Sequence, residues 1–534
     1  MGGMVSAPQP LAVEKGADCL SAGGNAIDAA VAMAFVQGVV DPQMCGLGGG
    51  GCATVFKGSA AGTEVLEFYP RAPFAARPEM FEDKIVSRAA WGGFVLEGRI
   101  NEIGYSSICT PLVARGLKML HAAHGRLPWA EVLAPAIEIA YEGAPVYHHV
   151  SDRWIRHARG FVDSITRHSA TPTCARQYMR DGRMLEPGER MQTREYGDTL
   201  SKLAAHGAED FHVGDIASRI VADMRANGGL VSLEDLAGAE PARRAPVAGR
   251  YRGYEIEGPP PPGAGVAVIA ALNILETATL STMGHNSPQH LHLLASALRL
   301  ALADWKANTG DPAFIDNPVD WLVSRQRAAE LASRIGKADA LPEGNDGIPD
   351  SRDTTHLCAM DETGNAVSLT HTLALGSGVV TPGLGFMYNN AMMLFDPRPG
   401  HPNSIAPGKI RQHAVSACLL NLQGSPVMAI GAPGGHGIVS GVVQTVSNIV
   451  DFGMTPQEAV SAPRIHCEGD AIDVEARIPR SVVRALEAAG NRVRHSHYSY
   501  DFQSGRPHVV LREPATGRLS GGADPRGGGM ALSG

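Results

Sequence analysis

The stretch "SRDTTHLCAMDETGNAVSLTHTL", Ser351–Leu373, decides the fold because it combines a polar lead, two adjacent threonines and the pattern of a β-hairpin. Its turn is "DETGN", Asp361–Asn365, in which Gly364 tolerates a positive φ while Asp and Asn suit the ends of a turn. A hairpin centred on this turn places Thr354 opposite Thr372. The stretch therefore predicts two paired strands with a threonine at each open end.

This register divides the side chains of the hairpin between two faces. One face is apolar and carries Leu357, Ala359, Val367, Leu369 and Leu373. The other face is mostly polar and carries Thr354, His356, Ser368, Thr370 and Thr372. A slip by one residue would mix the two sets, so the pattern favours this register. Directly opposed residues have their Cβ atoms about 5 Å apart, which brings the hydroxyls of Thr354 and Thr372 together.

Two interpretations of the threonine pair follow. Threonine is a good strand former, so the pair fits a purely structural role. The segment before it, residues 336–352, is polar, rich in Gly and Pro and without periodicity, which predicts an exposed linker ending at Asp353. If the chain is cut between Asp353 and Thr354, Thr354 gains an α-amine with a pKa of about 7.7–8.0. That amine can accept the hydroxyl proton, which makes one residue both nucleophile and base.

The composition is that of a globular protein. The chain has 534 residues, is 44% hydrophobic and carries a net charge of −8 without a dense Lys/Arg run, so we expect no nucleic-acid partner. The eight cysteines contain no CxxC pair and are expected to be reduced thiols. No signal peptide is recognised, and Ala26–Val40 is too short and too rich in Ala to span a bilayer. We therefore expect a cytoplasmic protein without a membrane partner.

The N-terminal region predicts a buried helix followed by a strand. "GGNAIDAAVAMAFVQGVV" has small residues all round, and Asn25 suits its N-cap. The glycine run Gly48–Gly51 precedes a strand pattern and lacks the Gly-Lys-Ser/Thr of a phosphate loop. A tight entry into a strand is therefore expected there.

Farther along the chain, helical and strand patterns are unevenly distributed. Helical spacing dominates Thr110–Ile335, whereas alternating patterns dominate from Thr354 onward, interrupted by helices at Gly437–Val450 and Pro479–Ala489. This distribution fits either two domains or one layered α/β sandwich built from both parts.

Eight motifs of the chain resemble those of a known family. They are "TTHLCAMDETGNAVSLTHTL", "GNAIDAAVAMAFVQGVVDP", "GLGGGG", "GGLVSLEDLAG", "HLLASALRLALADW", "GDPAF", "YNNAM" and "GAPGGHG". They are similar to the gamma-glutamyltransferase family (gamma-glutamyltranspeptidases) of N-terminal-nucleophile hydrolases, over nearly the whole chain. The resemblance implies a four-layer αββα sandwich and a precursor that cleaves itself before Thr354. Residues 1–353 would form a large subunit and residues 354–534 a small one, and the two would associate, with a homodimer of this heterodimer as a further option.

The resemblance also implies residue roles. Thr354 matches the nucleophile, and Thr372 matches the threonine that hydrogen-bonds it, in agreement with the hairpin register. Gly434 and Gly435 match the glycines of the oxyanion hole, where glycine lets backbone N–H groups approach a developing negative charge. The implied chemistry needs no metal and no cofactor.

The chain departs from the family where the family holds its substrate. Tyr69 stands in place of the arginine that grips the substrate α-carboxylate, and Arg71 lies two residues farther on. His413 and Ala414 align with a Ser-Ser pair that contacts the same carboxylate.

A second group of departures falls where the family holds the substrate α-amine. Ala374 replaces an asparagine, and Ala391 and Leu394 replace polar and acidic groups in "NNAMMLF", in which Asn390 remains a candidate for substrate binding. Burying a charged amino-acid head against Ala, Leu and Tyr would cost several kcal/mol. We therefore expect a different amide.

The expected substrate is an oxamate-like or acylase-like amide with a small anionic acyl group, held by Arg71, Arg411 or His413. Hydrolysis would proceed through an acyl-Thr intermediate. Three alternatives stay open: a true glutathione hydrolase with a rearranged clamp, a C–C bond hydrolase of the same family, and a non-maturing binding protein.

Overall fold

The computed structural model of the chain describes residues 2–58, 62–89, 92–156, 161–336, 353–501 and 504–534. Apart from Gly336, the predicted linker of residues 336–352 lies outside these ranges. All eight cysteines lie within them, and all are buried and outside any disulfide. In these ranges no helix combines the length and the apolar character that crossing a bilayer requires.

The described residues form strands that are numbered here in chain order. They are β1 Gly3–Ala7, β2 Gly50–Phe56, β3 Thr63–Phe68, β4 Ile85–Arg88, β5 Phe94–Leu96, β6 Ala144–Pro145, β7 Met179–Arg180, β8 Arg183–Met184, β9 Arg190–Met191, β10 Ala242–Arg244, β11 Val247–Tyr251, β12 Tyr254–Gly258, β13 Thr355–Asp361, β14 Ala366–Thr372, β15 Cys418–Leu422, β16 Ser425–Gly431, β17 Ile465–Cys467, β18 Ala471–Val474, β19 Arg492–His495, β20 His508–Arg512, β21 Leu519–Ala523 and β22 Met530–Ser533.

The α-helices of the described ranges are Pro10–Ser21, Ala26–Val40, Val113–His124, Trp129–Glu142, His148–Arg156, Ser164–His168, Pro172–Tyr178, Arg194–His206, Asp210–Val213, Asp215–Ala226, Leu233–Gly238, Gly265–Leu275, Pro288–Asn308, Val319–Leu322, Arg325–Ala332, Gly437–Val450, Pro456–Ser461 and Arg480–Ala488. The predicted N-cap is confirmed, since the Asn25 side chain accepts from the N–H groups of Ile27 and Asp28. The Asp28 carboxylate accepts from the Asn25 N–H in return, which completes a capping box.

Two antiparallel sheets form the centre of the molecule. The first has seven strands in the order β10-β3-β2-β14-β13-β1-β22, and the second has six in the order β11-β12-β15-β16-β20-β21. Each sheet takes strands from both sides of residue 353, so one layered sandwich forms rather than two separate domains. The region predicted to be mostly helical also contains β6–β12, which the sequence did not reveal because these strands have only two to five residues.

Helices cover the outer face of each sheet. Ala26–Val40 packs on β13 and β14, and Val113–His124 packs on β3. On the other side, Gly265–Leu275 contacts β11 and β12, and Gly437–Val450 contacts β16. Each outer side has its own large apolar core. The predicted αββα architecture is therefore confirmed.

The predicted hairpin has the expected register, with Thr355 opposite His371 and Met360 opposite Ala366. Its polar face meets the second sheet and is buried. There the Ser368 hydroxyl donates to the Ile430 carbonyl at 2.9 Å, and the His356 ring lies where a side chain on Gly431 would be. The hairpin thus sits at the centre of the sandwich, which holds the threonine pair firmly.

Candidate functional site

The site is built around the open end of the hairpin. Thr354 immediately precedes β13, and Thr372 is the last residue of β14. Their hydroxyl oxygens are 3.1 Å apart, and Thr354 is only 6% exposed. The hydrogen bond that the register predicts between the two threonines is present.

The carbonyl oxygen of Asp353 completes a triangle with the two hydroxyls. It lies 2.7 Å from Thr354 Oγ1 and 2.8 Å from Thr372 Oγ1, so it can accept the proton of either hydroxyl. Thr372 Oγ1 also accepts from the N–H of Ala374 at 2.9 Å. Since Thr372 donates to the carbonyl and accepts from a backbone amide, its orientation is fixed.

The side chain of Asp353 forms a hydrogen bond with Gln43. It is fully buried, and its Oδ2 accepts from Gln43 Nε2 at 3.1 Å. Gln43 lies in the loop between the helix Ala26–Val40 and β2. Sequence reasoning missed this contact, because nothing in "DPQMCG" signals a partner 310 residues away.

Buried polar groups anchor the residues next to the threonines. Thr355 Oγ1 is within 3.2 Å of both Gln9 and Gln37, and His371 Nε2 is 2.9 Å from Gln37 Oε1. Burial lowers the pKa of His371 to about 3, so the ring stays neutral. This network fixes the backbone that carries the candidate nucleophile.

Gly434 and Gly435 lie in the loop that joins β16 to the helix Gly437–Val450. Their φ values are 134° and 57°, which side chains rarely tolerate, and a Cβ on Gly434 would lie 2.9 Å from the Cα of Gly505. The requirement for glycine is therefore structural at both positions. Their oxyanion role stays a prediction.

His436 follows these glycines and was not singled out from the sequence. Its Nδ1 lies 2.9 Å from Glu468 Oε2, and Glu468 also pairs with Lys306. Burial and the nearby charges of Lys306, His466 and Arg411 hold the pKa of His436 well below its usual range.

Three of the predicted substrate-binding residues come together. The rings of Tyr69 and His413 stack with centroids 3.9 Å apart and an interplanar angle of 12°. Arg411 Nη2 donates to the Tyr69 hydroxyl at 2.6 Å. In the first sheet Phe68 lies opposite Gly51, and Gly51 lies opposite His371. One residue farther along the same register, Tyr69 is level with Thr372, two strands away and on the same face of the sheet.

His413 is a neutral ring in this group. Burial lowers its pKa, and the carboxylate of Glu67, 3.8 Å from Nε2, offsets the effect only in part. Glu67 itself pairs with Arg244 at 3.0 Å. Burial alone would raise the pKa of Glu67, but His413 and Arg244 more than offset it, so Glu67 is a carboxylate.

The other two predicted substrate-binding residues make contacts with the backbone. Arg71 is partly exposed, and its guanidinium donates to the carbonyls of Gly408 and Glu240 at 3.5 and 3.3 Å. Asn390 is fully buried, donates to the carbonyl of Glu102 at 2.7 Å and accepts from the N–H of Leu375 at 2.8 Å. A role in substrate binding stays a prediction for both.

The residues that replace the family's amine-binding groups are apolar and buried. Ala374 and Leu394 belong to one apolar cluster with Leu375 and Met393, and Ala391 belongs to a neighbouring one. Ala374 has a φ of 62°, a left-handed conformation that asparagine adopts more readily than alanine.

Within the described ranges, no three His, Cys, Asp or Glu side chains are grouped so that they could hold a metal ion.

Comparisons with known proteins show the family to which the chain is similar. The gamma-glutamyltranspeptidase family model matches residues 12–534. The acylase ACY 1 proenzyme of Pseudomonas sp. (strain V22) is 37% identical over 499 residues, which cover 92% of this chain and 87% of that protein. The glutathione hydrolase proenzyme of Escherichia coli (strain K12) is 30% identical over 544 residues, covering 98% and 90%.

A solved structure is also similar over the whole chain. Cephalosporin acylase from Bacillus halodurans superposes with a TM-score of 0.86 at 29% sequence identity, covering 99% of this chain and 95% of that one. The chain therefore belongs to the gamma-glutamyltranspeptidase family and is an N-terminal-nucleophile amidohydrolase made as a self-processing precursor.

Proposed function

We propose that the chain breaks its own Asp353–Thr354 peptide bond and then hydrolyses a small amide without a gamma-glutamyl head, with Thr354 as the nucleophile. The observation that carries the proposal is the triangle of Thr354 Oγ1, Thr372 Oγ1 and the Asp353 carbonyl oxygen, whose sides are 3.1, 2.8 and 2.7 Å.

The triangle supports a route for self-cleavage. Thr354 Oγ1 attacks the carbonyl carbon of Asp353, while the Thr372 hydroxyl donates to the oxygen that becomes negative. The proton of the Thr354 hydroxyl passes to the nitrogen as the C–N bond breaks, which leaves an ester between Asp353 and Thr354 and a free α-amine on Thr354. Water then hydrolyses the ester, which frees the hydroxyl and the carboxyl group of Asp353.

The same groups then serve turnover. The α-amine accepts the proton of the Thr354 hydroxyl as that oxygen attacks the substrate carbonyl. The N–H groups of Gly434 and Gly435 stabilise the tetrahedral oxyanion. The amine product leaves, and water releases the acid from the acyl-Thr intermediate.

The surroundings of Thr372 argue against an amino-acid head on the substrate. A gamma-glutamyl group carries an ammonium and a carboxylate on one carbon, and each needs an opposite charge when buried. Ala374, Ala391 and Leu394 offer only apolar surface where the ammonium would be held. The higher identity to the acylase, 37% against 30% for the glutathione hydrolase of Escherichia coli, agrees with an acylase-like substrate.

The proposal is tested first by the state of the chain. From the mass of 56.1 kDa divided in proportion to length, the purified protein should give two bands of about 37 and 19 kDa, the smaller one starting Thr-Thr-His-Leu. Thr354→Ala should leave one full-length band, and Thr354→Ser should still split. Splitting of the Thr354→Ala variant at Asp353, or full activity without any split, would refute the nucleophile.

A glutathione hydrolase is the second candidate, because Arg411 lies beside Tyr69 and supplies a cation near the place of the family's missing arginine. Hydrolysis of a gamma-glutamyl 4-nitroanilide faster than of short acyl 4-nitroanilides would favour it. The apolar surface around Ala374 predicts the opposite order.

A further inference from the structure

We infer that Glu468 is a positioning residue for turnover, because it holds the loop of Gly434 and Gly435 in place through two histidines. The inference rests on the proposed function, in which the N–H groups of these glycines stabilise the oxyanion. It adds a carboxylate that does not touch the substrate but determines how well those N–H groups are oriented.

The loop of Gly434 and Gly435 has no side chains of its own to hold it, and glycine is the most pliable residue of the backbone. Before the glycines, the backbone is fixed by the Arg506 N–H, which donates to the Pro433 carbonyl at 3.0 Å. After the glycines, the chain enters the first turn of the helix Gly437–Val450. Donors that stabilise an oxyanion must be oriented before the reaction, so this turn has to be held as well.

The first contact that holds the turn is the side chain of His436. His436 is the N-cap residue of the helix, and its Nδ1 lies 2.9 Å from Glu468 Oε2, 32 residues farther along the chain. The ring packs edge-on against Trp305, with centroids 5.7 Å apart and an interplanar angle of 82°. Since this ring is neutral and a carboxylate only accepts hydrogen bonds, Nδ1 carries the proton and donates it to Glu468.

The second contact reaches the same helix one turn farther on. His466 Nδ1 lies 2.8 Å from the Ser440 hydroxyl, and its Nε2 lies 3.6 Å from Glu468 Oε2. Ser440 follows His436 by one helical turn, so the two side chains lie on the same face of the helix. One carboxylate therefore faces two histidines that contact the first turn at two points, which restrains both its position and its rotation.

Glu468 is itself fixed by elements outside the loop. It directly follows β17, and its side chain is 10% exposed and pairs with Lys306 on the helix Pro288–Asn308. The same helix packs on β17. Because these two elements set the position of the carboxylate, Glu468 can support the loop without depending on it.

These contacts should matter for turnover and not for self-cleavage. In the proposed self-cleavage, the Thr372 hydroxyl stabilises the charge that develops on the Asp353 carbonyl. In the proposed turnover, the N–H groups of Gly434 and Gly435 stabilise the oxyanion. A displaced glycine loop therefore slows only the second reaction, and a displacement of about 1 Å can cost about 100-fold in rate.

The test measures both reactions in Glu468→Ala. Turnover is assayed on the purified, split protein with acetyl, butyryl, succinyl and gamma-glutamyl 4-nitroanilides, and self-cleavage is followed as loss of the full-length band. For each anilide that the wild type hydrolyses, kcat should fall by about 10- to 100-fold while KM changes less than about threefold. The rate of self-cleavage should stay within about threefold of the wild-type rate.

Three further variants separate positioning from a loss of folding. Glu468→Gln keeps an oxygen that accepts from His436, so it should retain kcat to within about fivefold. Ser440→Ala removes only the second contact and should lower kcat by about three- to tenfold. Glu64→Ala is the matched control, since Glu64 also pairs with one histidine, His124, and one arginine, Arg243. It should leave kcat unchanged.

Hydrogen exchange followed by mass spectrometry gives a second measurement that needs no substrate. The Ile438 and Val439 N–H groups donate to the carbonyls of Gly435 and His436 at 3.1 and 3.2 Å. Their exchange should be at least about tenfold faster in Glu468→Ala than in the wild type, because the first turn opens more often. Glu64→Ala should leave their exchange unchanged.

The outcomes separate this inference from the proposed function. An unchanged kcat in Glu468→Ala, an equal fall in turnover and self-cleavage, or unchanged exchange overturns the inference and leaves the nucleophile intact. If Glu468→Ala is insoluble, Ser440→Ala decides by the same criteria. If the wild type fails to split or hydrolyses none of the anilides, the proposed function fails and hydrogen exchange alone decides: faster exchange in the variant supports the positioning role, and unchanged exchange overturns it.

Discussion

The candidate site and an ion cluster near the C-terminus are both buried and polar, yet their charges are balanced differently. The ion cluster consists of Arg464, Glu475, Asp524 and Arg526. Arg464 pairs with Asp524, and Arg526 pairs with Glu475 at 2.7 Å and with Asp524 at 3.1 Å. At the site, by contrast, Arg411 has no carboxylate among the described residues, and two hydroxyls converge on one carbonyl oxygen.

The difference teaches which polar groups serve structure and which are available for chemistry. In the ion cluster two buried cations face two buried anions, and Glu475 also pairs with the partly exposed Arg477 at 2.9 Å. Removing one buried member therefore leaves a buried charge with fewer partners. In the site the groups have hydrogen-bonding capacity to spare, so substitutions there should change reactivity more than stability. Each prediction below tests this division, beginning with the largest effect.

Asp524→Asn should destabilise the fold by about 3–5 kcal/mol, because Arg464 and Arg526 both lose the carboxylate with which they pair. The measurement is urea unfolding in the Thr354→Ala background, which keeps the chain in one piece. Asp473→Asn is the matched control, since its partner Arg494 is partly exposed and the pair contributes about 0–1 kcal/mol. Equal losses for the two variants would contradict the structural role of the ion cluster.

Thr372→Val should slow self-cleavage by about 100- to 1000-fold, because the Asp353 carbonyl loses the donor that stabilises its developing charge. The rate is followed as loss of the full-length band after rapid purification. Thr372→Ser keeps the hydroxyl and should split at close to the wild-type rate. Rapid splitting of Thr372→Val would remove Thr372 from the chemistry.

Gln43→Met should slow self-cleavage by about tenfold, because the buried Asp353 carboxylate loses the amide that positions it. Gln43→Glu should slow it further, since it places a second carboxylate beside the first. The same band-loss assay gives both rates. A Gln43→Glu variant that splits faster than Gln43→Met would show that Asp353 is held by other contacts.

The free energy of unfolding should decrease as the pH is lowered, in two separate pH ranges. Burial lowers the pKa of His290 to about 4, and Asn286 N–H donates to its Nδ1 at 3.0 Å, so the folded state keeps the ring neutral. The unfolded chain takes up the proton below about pH 6.5, so stability is lost between about pH 6.5 and 4, at up to about 1.4 kcal/mol per pH unit for each such histidine.

The ion cluster responds at lower pH. Burial alone would raise the pKa of Asp524, but Arg464 and Arg526 more than offset it, so its folded pKa lies below the unfolded value. Its contribution is therefore present above about pH 4 and lost below it. The measurement is urea unfolding from pH 3 to 8. His290→Gln should reduce the slope of the unfolding free energy against pH only between about pH 4 and 6.5. A reduced slope only below pH 4 would contradict the assignment.

Local patterns carried the sequence-based predictions that the structure confirms. The turn at Asp361–Asn365 fixed the hairpin register, and Asn25 fixed the start of a helix, because both depend on residues a few positions apart. The threonine pair followed directly from that register.

Contacts between distant segments were beyond reach from one sequence. The sequence proposed both Tyr69 and Arg411 but gave no sign that they touch across 342 residues, and it gave no sign of the contact between Gln43 and Asp353. Such pairs depend on how the layers pack, and packing leaves no periodic signal in a single chain. The short strands β6–β12 were missed for a related reason, since two to five residues hold too little alternation to recognise.

The placement of β13 between β1 and β14 has a consequence for the life of the enzyme. Once the bond before Thr354 is broken, the new terminus is held by neighbours on either side that belong to different pieces of the original chain. The pieces cannot separate without tearing the central sheet, and after denaturation they must find each other by diffusion. Recovery from heat should therefore depend on protein concentration, whereas the uncut Thr354→Ala precursor should recover independently of it.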